Sequence, residues 1–213
     1  MNPYFEEFLE EFSPQLDPVK IKAALLEKYK NVLPQAMLDF WSEVGWSGYA
    51  NGIMWSTDPE EFEPALAAWL DGSNLLSRDK YTVIARSAFG KLFVWGKATG
   101  LTIIINPLIS SITTVEPTLE AKKSDSAISA FFLSKDKEDF DFDDQKDKPM
   151  FARAFKKLGP LKSDEMYAFE PALSIGGTAK IENLVKVKMI EHLVLLSQFG
   201  PAEFTHIDVS RHI

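Results

Sequence analysis

The sequence predicts an α+β fold: N-terminal helices, a central antiparallel β-meander and a C-terminal helical section. Three observations carry this reading. Residues 4–70 place apolar side chains at helical spacing, with Asp-Pro and Leu-Pro pairs as start signals. Residues 81–115 are β-branched and aromatic runs broken by short turns. Helical spacing then returns. Helices first, a sheet next and helices last is the segregated order of α+β proteins.

Along the chain, Tyr4 to Phe12 reads as an amphipathic helix, with Phe5, Phe8, Leu9 and Phe12 on one face and glutamates elsewhere. A second helix is expected from Asp17, since Asp caps well and Pro18 suits the first helical position. Its buried stripe would be Ile21, Leu25 and Tyr29. Pro34 starts a third helix that Gly45 closes. The segment GWSGYANGIMW reads as a turn entering a short strand. Asp58-Pro59 repeats the cap signal before a helix with Phe62, Leu66, Trp69 and Leu70 inward, ended by Gly72. The meander comprises Tyr81–Arg86, Lys91–Gly96 and Leu101–Ile105, with a fourth strand near Ile112–Val115. The continuous apolar run Leu101–Ile105 suggests a strand covered on both faces. Helices follow at Ser126–Leu133 and Pro149–Leu158, then a strand at Tyr167–Phe169 and a long helix over Ile181–Phe199 with Thr178 as its cap. Residues 134–148, SKDKEDFDFDDQKDK, read as an exposed acidic linker. The implied organisation is residues 1–134, a linker at 135–148, and residues 149–213 packed on the first part.

Composition narrows the function. Hydrophobic residues at 46% and charged residues at 25% fit a soluble globular chain and argue against disorder. Without cysteine there is no disulfide scaffold, thiol nucleophile or thiolate metal site. The N-terminus carries four glutamates and no basic segment, so it does not read as a signal peptide. No stretch approaches 18 apolar residues, so no membrane span is expected, and a cytoplasmic location follows.

The net charge is −8, unevenly spread. Residues 1–71 hold 13 acids against 4 bases, a net of −9. Residues 135–148 add −3, while the remaining stretches are mildly positive. Such a chain disfavours nucleic acid as a direct ligand, because phosphate binding needs concentrated Lys and Arg. One reading is a set of solvated faces. The other is an acidic surface that draws in a basic partner.

Motifs for chemistry are absent. DFDFDD at Asp139–Asp144 fails as a calcium loop: the sixth residue is Asp144 rather than Gly, and the twelfth is Met150. The Gly-rich GWSGYANG lacks phosphate-loop spacing, and SIGGT reads as a turn. His192, His206 and His212 form no constellation; pairing His206 with Asp208 has no support beyond proximity in sequence. No nucleophile elbow is present. No enzyme and no cofactor are therefore expected. Trp41, Trp55 and Trp69 fall at core positions. Trp46, among glycines, is assigned to a surface or pocket, and Arg86 and Trp95 on the meander are candidates to line a small-molecule pocket with Trp55.

Two blocks carry a family resemblance. Leu33–Leu70 followed by Ala85–Gly96 resembles the GAD-like domain: a Leu-Pro helix with Trp, a Gly-aromatic turn, a strand ending in Asp-Pro and an Ala-Phe-Gly hairpin. Leu158–Gln198 is similar to the C-terminal domain of the type VI secretion DNase-immunity family, through Leu-Gly-x-Leu, Asp-Glu-x-Tyr-x-Phe, Pro-Ala-Leu and Gly-Gly. The resemblance implies an immunity protein that occludes a basic DNase effector stoichiometrically. The expected contacts are Glu43, Trp46, Tyr49, Asp58, Glu60, Glu61, Asp139, Asp141 and Asp143. GAD-like parts also occur without a toxin neighbour, which implies an alternative: a ligand-sensing or regulatory module whose pocket involves Trp55, Arg86 and Trp95.

Overall fold

The computed structural model describes residues 3–115 and 125–207. Helix α1 (Pro3–Glu11) buries Phe5 and Phe8 and leaves its glutamates in solvent, as its periodicity predicts. Phe12, just past it, joins the same core.

The next segment departs from expectation. Residues Gln15–Val19 form strand β1, and helix α2 begins only at Ala23, running to Tyr29. The Asp17-Pro18 cap signal is overridden by pairing of β1 with a later strand. Asp17 takes a left-handed backbone (φ +45°), and the register breaks between Leu16 and Val19. An edge strand with an irregularity is where a proline is tolerated. Ile21 and Tyr29 are nevertheless buried as predicted.

Helix α3 (Gln35–Val44) starts after Pro34. It ends at Gly45, whose φ of +78° and contact with the Val19 carbonyl leave no room for a side chain. Strands β2 (Trp46–Tyr49) and β3 (Met54–Ser56) form a hairpin. Helix α4 (Pro59–Leu70) is capped by the Asp58 side chain, which accepts from the Glu60 amide at 3.0 Å.

The meander follows as predicted: β4 (Tyr81–Ser87), β5 (Leu92–Gly96), β6 (Gly100–Asn106) and β7 (Ser111–Val115), each antiparallel to the one before. Helix α5 (Asp125–Leu133) then packs against α1 and α3, where the Phe132 ring meets Phe8 edge-on and Phe5 and Phe40 at a tilt.

The expected exposed linker is folded instead. Helix α6 (Lys137–Phe140) carries a capping box between Asp136 and Asp139. Phe140 is 1% exposed and lies 5.1 Å from the Phe93 ring and 5.7 Å from Phe12. Phe142 is half-buried against Phe89 and Phe169. The aspartates hide their structural use from sequence inspection, because their carboxylates accept backbone amides. Asp141 takes those of Phe142, Met150 and Phe151, closing the start of α7 (Phe151–Leu158).

The predicted long C-terminal helix is also corrected. Strand β8 (Glu165–Phe169) pairs with β9 (Leu184–Lys188), and only Met189–Leu196 forms the helix, α8. The Val185–Val187 alternation with lysines is a period-two signal, and β8 supplies the partner that realises it. Strand β10 (Glu203–Ile207) then pairs in parallel with β7. The main sheet therefore runs β1-β2-β3-β4-β5-β6-β7-β10, mostly antiparallel, beside the small β8-β9 sheet.

One hydrophobic core runs through both halves of the chain. Helix α4 packs on α8, where Trp69 Nε1 donates to the Leu193 carbonyl at 2.9 Å. The Tyr167 amide donates to the Ala88 carbonyl at 2.9 Å, and Lys91 Nζ to the Asp139 carbonyl at 2.6 Å.

Candidate functional site

Cross-strand register builds the site. Trp55 on β3 pairs with Arg86 on β4 and with Gly48 on β2. The three positions share one face of the sheet. Glycine at 48 lets the Trp55 ring lie flat across β2: a Cβ there would stand 2.9 Å from the indole. Trp55 Nε1 donates to the Gly52 carbonyl at 2.8 Å, which fixes the ring. The Arg86 guanidinium sits 4.7 Å from that ring in a cation–π stack.

Arg86 is 1% exposed. Its Nη2 donates to the Ser163 carbonyl at 2.7 Å and its Nη1 to the Ser87 carbonyl at 3.3 Å. Among the described residues no carboxylate lies within ion-pair distance of it. Burial pushes its pKa down to about 9; Asp164 opposes that shift but is itself ion-paired with Lys188.

A cavity of about 180 Å³ opens over this stack, lined by Arg86, Trp55, Trp46, Asp58, Glu61 and Ser163 among others. A second, of about 450 Å³, adjoins it and shares Val19, Trp46 and Asp58. Burial raises the carboxyl pKa of both Asp58 and Glu61, and their mutual charge adds to the effect on Glu61.

The residues expected from sequence are thus partly gathered. Trp46 is half-buried and lines both cavities, and Asp58, Glu60 and Glu61 flank it on the first turn of α4. Glu60 is ion-paired with Lys28. Glu43 is exposed on the last turn of α3. Tyr49 is 1% exposed, packed against Phe8 and Phe40. Trp95 is wholly buried on β5 and takes no part in lining either cavity. Asp139, Asp141 and Asp143 all act on Lys91 instead, near the β4–β5 turn. Asp143 is exposed, Asp139 pairs with Lys135 at 3.2 Å, and Asp141 caps α7. Ser163 and Asp17 are lining residues that sequence reasoning missed. Ser163 meets Arg86 through its backbone carbonyl, which leaves no mark in a sequence, and Asp17 reaches the cavity because β1 replaces the expected helix.

Among the described residues there is no group of three or more His, Asp or Glu side chains placed to hold a metal. His192 is half-buried on α8, His206 lies on β10 with Nδ1 3.0 Å from Thr114 Oγ1, and Asp208, Arg211 and His212 lie outside the described residues. No helix among them is long and apolar enough to cross a membrane.

The model of the GAD-like domain matches residues 3–109, half of the chain. The model of the C-terminal part of the type VI secretion immunity protein Tdi1 matches residues 125–200. Among solved structures, the crystal structure of Atu4351 from Agrobacterium tumefaciens is similar over 97% of this chain and 93% of that one, with 29% identity and a TM-score of 0.83. No curated protein matches. The Arg86–Ser163 contact and the Trp69–Leu193 hydrogen bond both join the two matched segments.

Proposed function

The chain belongs to the type VI secretion immunity family, a GAD-like domain followed by a Tdi1-type C-terminal part, and from that premise we propose that it neutralises a cognate secreted DNase. It does so in the cytoplasm, by stoichiometric occlusion of the toxin rather than by chemistry. The observation that carries this reading is the acidic, aromatic rim at the start of α4. There Asp58 and Glu61 line one cavity with half-buried Trp46, and Asp58 and Glu60 the adjoining one. A DNase needs a basic groove to hold phosphates. An acidic rim competes for that groove and speeds encounter, while an aromatic anchor slows release. The concentration of −9 within residues 1–71 supports the same surface.

Two experiments test this. Co-expression with the neighbouring toxin gene should rescue growth; equal killing with and without this protein defeats the proposal. Stopped-flow association should slow steeply as salt rises, and the double substitution Glu60→Lys, Glu61→Lys should slow it about tenfold or more at low salt. Rates indifferent to salt would remove electrostatic steering from the mechanism.

The cavity at the Arg86–Trp55 stack favours a second reading, a binding module that responds to a small molecule.

A further inference from the structure

Arg86 is an uncompensated buried charge. A guanidinium offers five N–H donors, yet among the described residues it makes two hydrogen bonds, both to backbone carbonyls. A buried cation is costly unless paired. Trp55, on which the guanidinium stacks, is itself held by the Gly52 carbonyl and packed over Gly48. Arg86 is among the residues that line the cavity, and a carboxylate is the group that would satisfy a guanidinium as a bidentate fork. Trp46, also on that wall, holds its buried indole N–H without an acceptor among the described residues.

The rim has the opposite character. Asp17, Asp58 and Glu61 line the same cavity, and among the described residues no lysine does. A simple anion reaching Arg86 is repelled by these three acids. A simple cation drawn to the acids meets Arg86. A molecule carrying both charges satisfies both ends. The volume of about 180 Å³ lies below the roughly 300–1,000 Å³ typical of drug-sized ligands, so the molecule is small.

We propose that this cavity binds a small zwitterion of the amino-acid class, its carboxylate on Arg86 and its ammonium between Asp58 and Glu61. The assignment rests on the binding-module reading and names its ligand. Because Ser163 comes from the second matched segment and the other named lining residues from the first, the ligand ties the two segments together.

The test uses the whole chain and a homologous series: glycine, β-alanine and 4-aminobutyrate, with acetate, butyrate and n-butylamine as single-charge controls. Thermal shift and calorimetry measure binding, and ¹H–¹⁵N spectra follow the Trp46 and Trp55 indole signals. At least one amino acid should bind with Kd at or below about 1 mM, and about tenfold more tightly than the control of matched length. It should raise the melting temperature with concentration and shift both indole signals. Arg86→Gln should abolish binding. The double substitution Asp58→Asn, Glu61→Gln is isosteric and keeps a residue that can cap α4, so the fold should be retained. It should bring zwitterion and anion within about threefold of each other. If Arg86→Gln does not fold, that double variant and the indole shifts decide the matter. Equal binding of butyrate and 4-aminobutyrate to the native chain overturns the zwitterion while leaving an Arg86-dependent module standing. No binding by any probe at about 20 mM overturns both. Neither result bears on rescue from a toxin.

Discussion

Phe140→Ala decides whether the acidic stretch at 135–148 is structure or tether. Phe140 is 1% exposed, wedged between Phe12 of the N-terminal layer and Phe93 of β5. Removing a fully buried phenylalanine forfeits its transfer free energy and leaves a cavity, about 3–5 kcal/mol in all. A chain of 213 residues loses roughly 2–4 °C per kcal/mol, so the melting temperature should fall by roughly 6–20 °C. Far- and near-ultraviolet circular dichroism followed together report whether the whole core unfolds in one step. Lys146→Ala in the same stretch is exposed and serves as the control, expected to stay within about 0.5 kcal/mol. A fall of less than about 2 °C for Phe140→Ala would show that the stretch does not contribute to the core and would refute the packing argument.

Three further outcomes are expected. Trp69→Phe keeps most of the ring but removes the indole donor to the Leu193 carbonyl, which retains the Ser197 amide, and should cost about 0.5–1.5 kcal/mol, with faster amide exchange in α8 than in β5. Gly48→Ala forces a Cβ to 2.9 Å from Trp55. It should cost about 1–3 kcal/mol and move the Trp55 indole signal, and an unmoved signal would mean the stack is not held from below. The third concerns pH. Burial holds the His192 imidazole below its ordinary range, outweighing the pull of Glu170. A depressed folded-state value stabilises the protein above the unfolded value of about 6.5 and is lost as pH falls through the folded value. Between about pH 7 and pH 5 the native melting temperature should drop relative to that of His192→Leu. A constant difference would remove the assignment.

Much of the fold was legible because local and tertiary signals agreed. The Phe5-Phe8-Phe12 stripe, the Asp58-Pro59 start and the β4–β7 runs each have one consistent reading, and the structure adopts it. Failures came where a partner distant in sequence chose between two local signals. Asp17-Pro18 caps a helix in isolation, but β2 recruits it as a strand. Residues 184–188 carry enough apolar residues for a helix, but β8 selects their period-two pattern. The site was legible only as residue types. Trp46, Trp55 and Arg86 stand out by size and charge, yet their meeting depends on the β2-β3-β4 register and on a glycine at 48. Trp95 stands out equally, and the register places it in the core.

The same distinction governs the acidic charge. A carboxylate that accepts backbone amides is part of the fold, and its reversal should be read in stability; one that faces solvent is available to a partner and should be read in association rate. Asp141 belongs to the first kind, half-buried with three amides on one oxygen. Glu61 belongs to the second, exposed on α4 beside Trp46. Asp141→Lys should therefore lower the melting temperature markedly, since it removes a helix cap worth about 0.5–2 kcal/mol and leaves amides unpaired. Glu61→Lys should leave stability within about 0.5 kcal/mol and slow capture of a basic toxin. Should Asp141→Lys slow association while leaving the melting temperature unchanged, the toxin-facing surface lies at 139–143 rather than on α4.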